Sequence, residues 1–268
     1  MSLKNRIANI LKFDAPEYKQ MVSMYNVKDG IQSLILSVAF ILFFMLVFIY
    51  QFQVQMIHFI CMLVIPFVIL LYKGDRIETL GFTKRNMGRS LLHGLCWGIA
   101  LFLIIPRTQL WPPNLPQQTI SVAVHSVREI YEQVSILDYN FFGFVLSVFL
   151  FYPMLIAVSE EVFFRGYIQT RIYGIIRSDF FAILYGGFLF ALLHVPEVLN
   201  FVSTYYDVSL ISAVPILFRH YTSLTFPRFL FHTAFHFLFV YLHRKHNNII
   251  GPIVVHFLVN LRSPFMTP

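Results

Sequence analysis

Charge is what this chain has least of: 12% of its 268 residues are Asp, Glu, Lys or Arg, about half of the roughly 25% found in an ordinary soluble domain. The shortage is unevenly spread. Residues 30–72, 90–106, 139–159, 180–196, 229–243 and 246–261 carry no charged side chain at all. A hydrocarbon core ~30 Å thick is crossed by about 20 helical residues, so these runs have the lengths of membrane spans. The first is long enough for two helices, turning at Gln51, Gln53 and Gln55. A water-soluble globular body is excluded by this pattern.

Cysteine is nearly missing as well. Cys61 and Cys96, both inside apolar runs, rule out a disulfide framework or a cysteine metal site and read as small buried hydrophobes. The HExxH pattern, by which one helix offers two zinc ligands and a base, is absent. No internal repeat is visible, and one membrane domain without an appended soluble domain is expected. The first long apolar run begins only at Ile31, so a cleaved leader is not expected. A net charge of +7 raises the question of nucleic acid, but the basic residues sit in short connections rather than on one face, and nucleic acid is set aside as a partner.

What is there reads as an all-α, polytopic membrane protein with about eight transmembrane helices, at 31–50, 54–72, 90–105, 141–171, 180–197, 209–226, 229–243 and 249–262. The sixth is the weakest. Its charge-free centre, 208–218, is short enough for a re-entrant or interfacial segment. Two amphipathic stretches read as interfacial helices: Leu3, Ile7, Ile10, Leu11, Tyr18, Val22 and Tyr25 with lysines and an arginine between them, and the stripe Ile120, Val124, Val127, Tyr131, Val134, Leu137 in the outer connection. The organisation expected is an N-terminal interfacial segment at 1–29, accessory helices and an outer loop at 30–140, and a core at 141–262. Lys73, Arg76, Lys84, Arg85 and Arg89 outnumber Arg107 and Arg128 in the next connection, which makes the former cytoplasmic, together with the N-terminus and Arg165, Arg171 and Arg177. Arg244 and Lys245 fall on the wrong side if eight spans are counted.

Glu160, Glu161 and Arg165 follow directly on the charge-free run 139–159. A charge at membrane depth costs ~2.5 to 3.5 kcal/mol on insertion scales and needs a reason. The bland reason is that the span ends at Ser159 and the carboxylates are wet. Depth argues otherwise. With the cytoplasmic turn near 174–178, Glu160 before it and His194 after it both lie ~20 to 25 Å from the turn on antiparallel helices. His256 and Asn260, four apart on the last span, share one helix face, whose bland reading is a polar interhelical clasp.

Peptide hydrolysis uses such a set. A base activates water, and donors stabilise the oxyanion of the tetrahedral intermediate. Glu160 with His194 suits the first task and His256 with Asn260 the second. Adjacent helical positions point about 100° apart, so Glu161 is expected to do something separate, supporting the site through Arg165 at i+4. His232 and His236, also four apart, lack a third ligand and read as structural. Phe163, Phe164, Phe188 and Phe190 could line a substrate groove, but among 31 phenylalanines they read as packing or lipid contact.

These residues carry a family resemblance. Glu-Glu-Val-Phe-Phe-Arg at 160–165, Phe-Ala-Leu-Leu-His at 190–194 and His-Phe-Leu-Val-Asn at 256–260 resemble, in order and in span context, the motifs of the CPBP or Abi proteins. That family includes CAAX-processing endopeptidases and bacteriocin-processing or bacteriocin-immunity proteins. The resemblance covers about 141–262. It implies an eight-helix intramembrane peptidase in which Glu160 and His194 activate water and His256 and Asn260 bind the oxyanion. The partners it implies are membrane lipids and a membrane-associated peptide or protein substrate. No cofactor is favoured; if zinc is required, Glu160, His194 and His256 become its ligands. The alternative is a non-proteolytic bacteriocin-immunity or scaffold protein built on the same polar cluster. A transporter is disfavoured by the lack of a repeat pair.

Overall fold

The structure, a computed structural model, describes residues 14–49, 55–104, 152–219 and 226–261, and every regular element among them is helical. The interfacial stretch before Asp14, the 106–138 connection with its surface helix, and the start of the fourth expected span lie outside the described residues. A short helix α1, Pro16–Ser23, leads into α2, Val27–Ile49; α3, Gln55–Lys73, and α4, Met87–Ile104, follow, with a 3-10 turn Ile77–Leu80 between them. Helix α5 opens as Tyr152–Glu160, runs on as a π-helical stretch Glu161–Ile168, and closes through Gln169–Arg171 and a 3-10 turn Ile172–Gly174. Then come α6, Asp179–Leu193; α7, Val195–Tyr206; α8, Leu210–Arg219; α9, Phe226–His246; and α10, Ile250–Leu261. Apolar runs of this kind form helices because a helix satisfies every backbone donor and acceptor within the segment, which lipid cannot do for it.

Phe40 and Phe44 of α2, Met62 and Leu70 of α3, Val162, Phe163 and Phe164 of α5, and Leu189 and Phe190 of α6 close into one buried apolar cluster. Elsewhere the outer faces stay apolar, with Ile35, Leu46, Leu103 and Ile104 exposed. Between helices in lipid there is little hydrophobic drive, and association depends on close packing of small residues. The seam of α4 against α10 shows this. A Cβ on Gly94 would stand 2.6 Å from the carbonyl oxygen of Gly251, and the Gly251 N–H donates to Ser90 Oγ at 2.9 Å. The two backbones therefore touch, and α10 is held in register with α4.

One end of the bundle gathers the ion pairs. Arg244 Nε and Nη2 donate to the two oxygens of Asp14 at 2.6 and 2.8 Å, its Nη1 donates to Tyr173 Oη at 2.7 Å, and Asp179 lies 3.1 Å from Nη2. Arg171 meets Asp75, and Lys73 meets Asp29 at 2.7 Å. The Ile249 N–H donates to the Gly81 carbonyl at 2.9 Å, bringing the α9–α10 turn to the same end. Burial alone would raise the Asp14 carboxyl, but the hydrogen bonds and charge of Arg244 outweigh it and hold Asp14 below the usual carboxylate range.

Among the described residues, Val27–Leu46 and Met87–Ile104 are the helices both long and apolar enough to cross a membrane by that measure, and they coincide with the first and third expected spans. Of the sixth expected span, 209–226, the described part is α8, Leu210–Arg219, and 220–225 lie outside the described residues. One expectation needs correction. Cys96 is exposed rather than buried: the outside of a bundle with apolar outer faces is itself apolar, so an apolar neighbourhood in sequence does not mean the interior.

Candidate active site

The four-residue spacing and apolar context that bring Glu161, Arg165 and the last helix together also bury them. Glu160, Glu161, Arg165 and His256 are all buried, Glu161 and Arg165 completely. His256 is the meeting point. Its Nδ1 lies 2.7 Å from Glu161 Oε1, and its Nε2 lies 3.7 Å from Glu160 Oε2. Arg165 Nη1 sits 3.1 Å from the same Glu161 oxygen, the i+4 partnership the sequence suggests. Adjacent side chains reach one imidazole because the ring offers a nitrogen on either edge, Nδ1 to Glu161 and Nε2 toward Glu160. The backbone widens at this point, since the π-helical stretch begins at Glu161. An i→i+5 ladder turns by roughly 80° per residue instead of about 100°, and such stretches recur at functional sites.

Aromatic rings complete the enclosure of Arg165. Its guanidinium lies 4.0 Å from the centroid of Phe190 and 4.7 Å from that of Phe239, a desolvated cation–π sandwich of the kind worth ~2 kcal/mol per contact. Phe239 in turn stacks on His256, centroids 5.3 Å apart and planes at 21°. Phe190 is thus not plain packing. It also stands edge-on to His194 at 4.8 Å and to His256 at 6.3 Å, so one ring adjoins both histidines.

His194 is not inside its helix as expected but caps the C-terminus of α6, where the chain breaks before α7. Its Nδ1 lies 2.8 Å from the Phe190 carbonyl oxygen. A carbonyl only accepts, so Nδ1 carries the hydrogen and the neutral ring keeps its lone pair on Nε2. His232 lies face to face with it, centroids 3.7 Å apart at 16°, so His232 belongs to the site's surroundings. His236 is a packing residue: its Nε2 pairs with Gln169 Oε1 at 2.9 Å, beside Gly186, where a Cβ would collide with both groups. Asn260 follows His256 on α10 by one turn, and its Nδ2 is buried with no hydrogen-bond partner among the described residues.

The arrangement joins Glu160, Glu161, Arg165 and His256 directly, links His194 to them through Phe190, and leaves Asn260 with an unused donor on the same helix. Sequence reasoning missed Phe239 and the stacking of His232 on His194. Nothing in spacing could single them out among 31 phenylalanines and a histidine pair without a third partner.

Compared with known proteins, residues 142–262 match the family described as type II CAAX prenyl endopeptidase Rce1-like, within the CPBP/Abi family. No curated protein and no solved structure gives a significant match.

Proposed function

Since residues 142–262 make this chain a member of the Rce1-like group of the CPBP/Abi family, a membrane-embedded protease family, we propose that it is an intramembrane endopeptidase hydrolysing a peptide bond in a membrane-associated peptide or protein. The observation that carries this reading is His256 held between two buried carboxylates, Glu160 at 3.7 Å and Glu161 at 2.7 Å, in an apolar bundle. Charges that costly are kept for chemistry more often than for packing.

Glu160, assisted by His194 Nε2, takes a proton from water. The resulting hydroxide attacks the carbonyl carbon, and the oxyanion is held by His256 and by the unused Asn260 Nδ2 donor. Protonated Glu160 then gives its proton to the departing amine nitrogen, and the C–N bond breaks. Glu161 orients His256 through Nδ1 and neutralises Arg165, a positioning role like that of the carboxylate behind a catalytic histidine. Zinc catalysis takes three protein ligands and an open position. This reading favours no metal, and no step is routed through one.

The topology that goes with this reading has the ion-paired end in the cytoplasm, because Lys73, Arg171 and Arg244 gather there. Asp14 clasps Arg244, so the N-terminal segment lies on that side too. With α7 and α8 as a short hairpin that does not cross, seven crossings remain and Arg244 no longer conflicts with the positive-inside rule.

The test is cleavage of a membrane-tethered peptide, offered prenylated and unprenylated, by full-length protein at equal abundance. Glu160→Gln and His194→Ala are each expected to lower the rate by ~10² to 10⁴. If both retain wild-type activity, the scaffold or immunity reading replaces the peptidase.

A further inference from the structure

The ion-paired end of the bundle holds a cavity of about 280 Å³, far along α5 from Glu160 and unused by the proposed chemistry. Asp14, Tyr18 and Lys19 line it from the α1 side, Tyr173 and Arg177 from the α5–α6 turn, Asp179 from the start of α6 and Arg244 from α9. Arg244 is committed inside the structure: Asp14, Asp179 and Tyr173 take its donors. That leaves Lys19 and Arg177 as the cations open to the outside. Lys19 is 69% exposed and only 3.6 Å from the already paired Asp14, and Arg177 is exposed with no ion pair among the described residues. Deeper in, the Tyr18 hydroxyl is buried and has no hydrogen-bond partner among the described residues. A buried hydroxyl without a partner costs roughly 1 to 3 kcal/mol, which a bound acceptor would relieve.

We propose that this cavity binds the phosphate of an anionic phospholipid headgroup, with Lys19 and Arg177 pairing its charge and the Tyr18 hydroxyl donating to a phosphate oxygen. Asp179 is 63% exposed but pairs with Arg244 at 3.1 Å, and Asp14 pairs with the same guanidinium, so the groups left for a ligand are two cations and a donor, which call for an anion. A lipid rather than free phosphate is called for by the rim. Phe180 and Phe181, next in sequence to Asp179, are 59% and 60% exposed and offer apolar surface for acyl chains beside the headgroup, at the level where the bundle passes from apolar faces to ion pairs. The proposal is independent of the peptidase reading.

The experiment is thermal unfolding of the full chain in neutral detergent, titrated in parallel with short-chain phosphatidylglycerol, the matching phosphatidylcholine and inorganic phosphate. Phosphatidylglycerol is expected to raise the midpoint saturably, at a concentration about tenfold below any effect of phosphatidylcholine. The double substitution Lys19→Ala/Arg177→Ala should raise the half-saturating concentration about tenfold. Tyr18→Phe should weaken the response while leaving the lipid-free midpoint unchanged or higher, since the ring packing remains and an unsatisfied hydroxyl is gone. That variant keeps the test decisive if the double variant folds poorly. Equal shifts from the two lipids, or an undiminished phosphatidylglycerol response in Tyr18→Phe, would overturn the site. A shift from inorganic phosphate as large as that from phosphatidylglycerol would overturn its assignment to lipid.

Discussion

Glu161→Gln separates what holds the site together from what it does. Glu161 Oε1 is shared by Arg165 Nη1 at 3.1 Å and His256 Nδ1 at 2.7 Å, and both Glu161 and Arg165 are fully buried. At 3.1 Å and an effective dielectric constant of about 20 the ion pair is worth about 5 kcal/mol of Coulomb energy. Removing one partner of such a pair costs ~3 to 5 kcal/mol, because the other charge stays buried without compensation. The amide keeps the shape, so the loss is electrostatic. Glu161→Gln is expected to lower the unfolding midpoint in detergent strongly and to abolish peptide cleavage. Adding Arg165→Met removes the stranded cation. Replacing a buried pair by apolar side chains is often neutral or stabilising, and Met can fill the space between Phe190 and Phe239. The double variant should therefore regain most of the lost stability but no activity, since His256 still lacks its anchoring carboxylate. Glu160→Gln, by contrast, leaves Arg165 its Glu161 partner and should unfold near the wild-type midpoint while inactive. A Glu161→Gln protein as stable as wild type, or a double variant no more stable than the single, would refute the reasoning.

Asn260→Ala removes a buried donor with no hydrogen-bond partner among the described residues, so stability should hold while the cleavage rate falls by about 10²-fold or more, as for loss of one oxyanion donor; an unchanged rate would move the oxyanion elsewhere. Exhaustive chelation is expected to leave cleavage intact and metal analysis to find no stoichiometric zinc, whereas loss with chelator and return with zinc would reassign Glu160, His194 and His256 as ligands. Gly94→Val places side-chain carbons against the Gly251 carbonyl, where even a Cβ would sit at 2.6 Å. Overpacking of this kind costs ~1 to 3 kcal/mol, and because α10 carries His256 and Asn260, cleavage should fall along with the unfolding midpoint, whereas Gly88→Val on the same helix, where no atom lies within 4 Å of the added Cβ, should change neither.

Local sequence determined what depends on solvent and period alone. Charge-free runs dictate helices because lipid offers the backbone no partner, and the four-residue steps Glu161 to Arg165 and His256 to Asn260 dictate shared faces. Those features, with the three motifs, mark Glu160, Glu161, His194, His256 and Asn260 as a candidate set. Three-dimensional packing decided the rest. Whether Glu160 and Glu161 share a partner depends on where α10 passes α5, which the Gly94–Gly251 contact sets from a different pair of helices. That Arg165 lies between Phe190 and Phe239, or His232 against His194, depends on the rotation of α6 and α9, neither of which shows one clearly apolar face opposite a polar one. The exposed Cys96 has the same origin: hydropathy reports that a residue avoids water, and in a chain with apolar inner and outer faces alike, only tertiary contacts distinguish the interior from the outside.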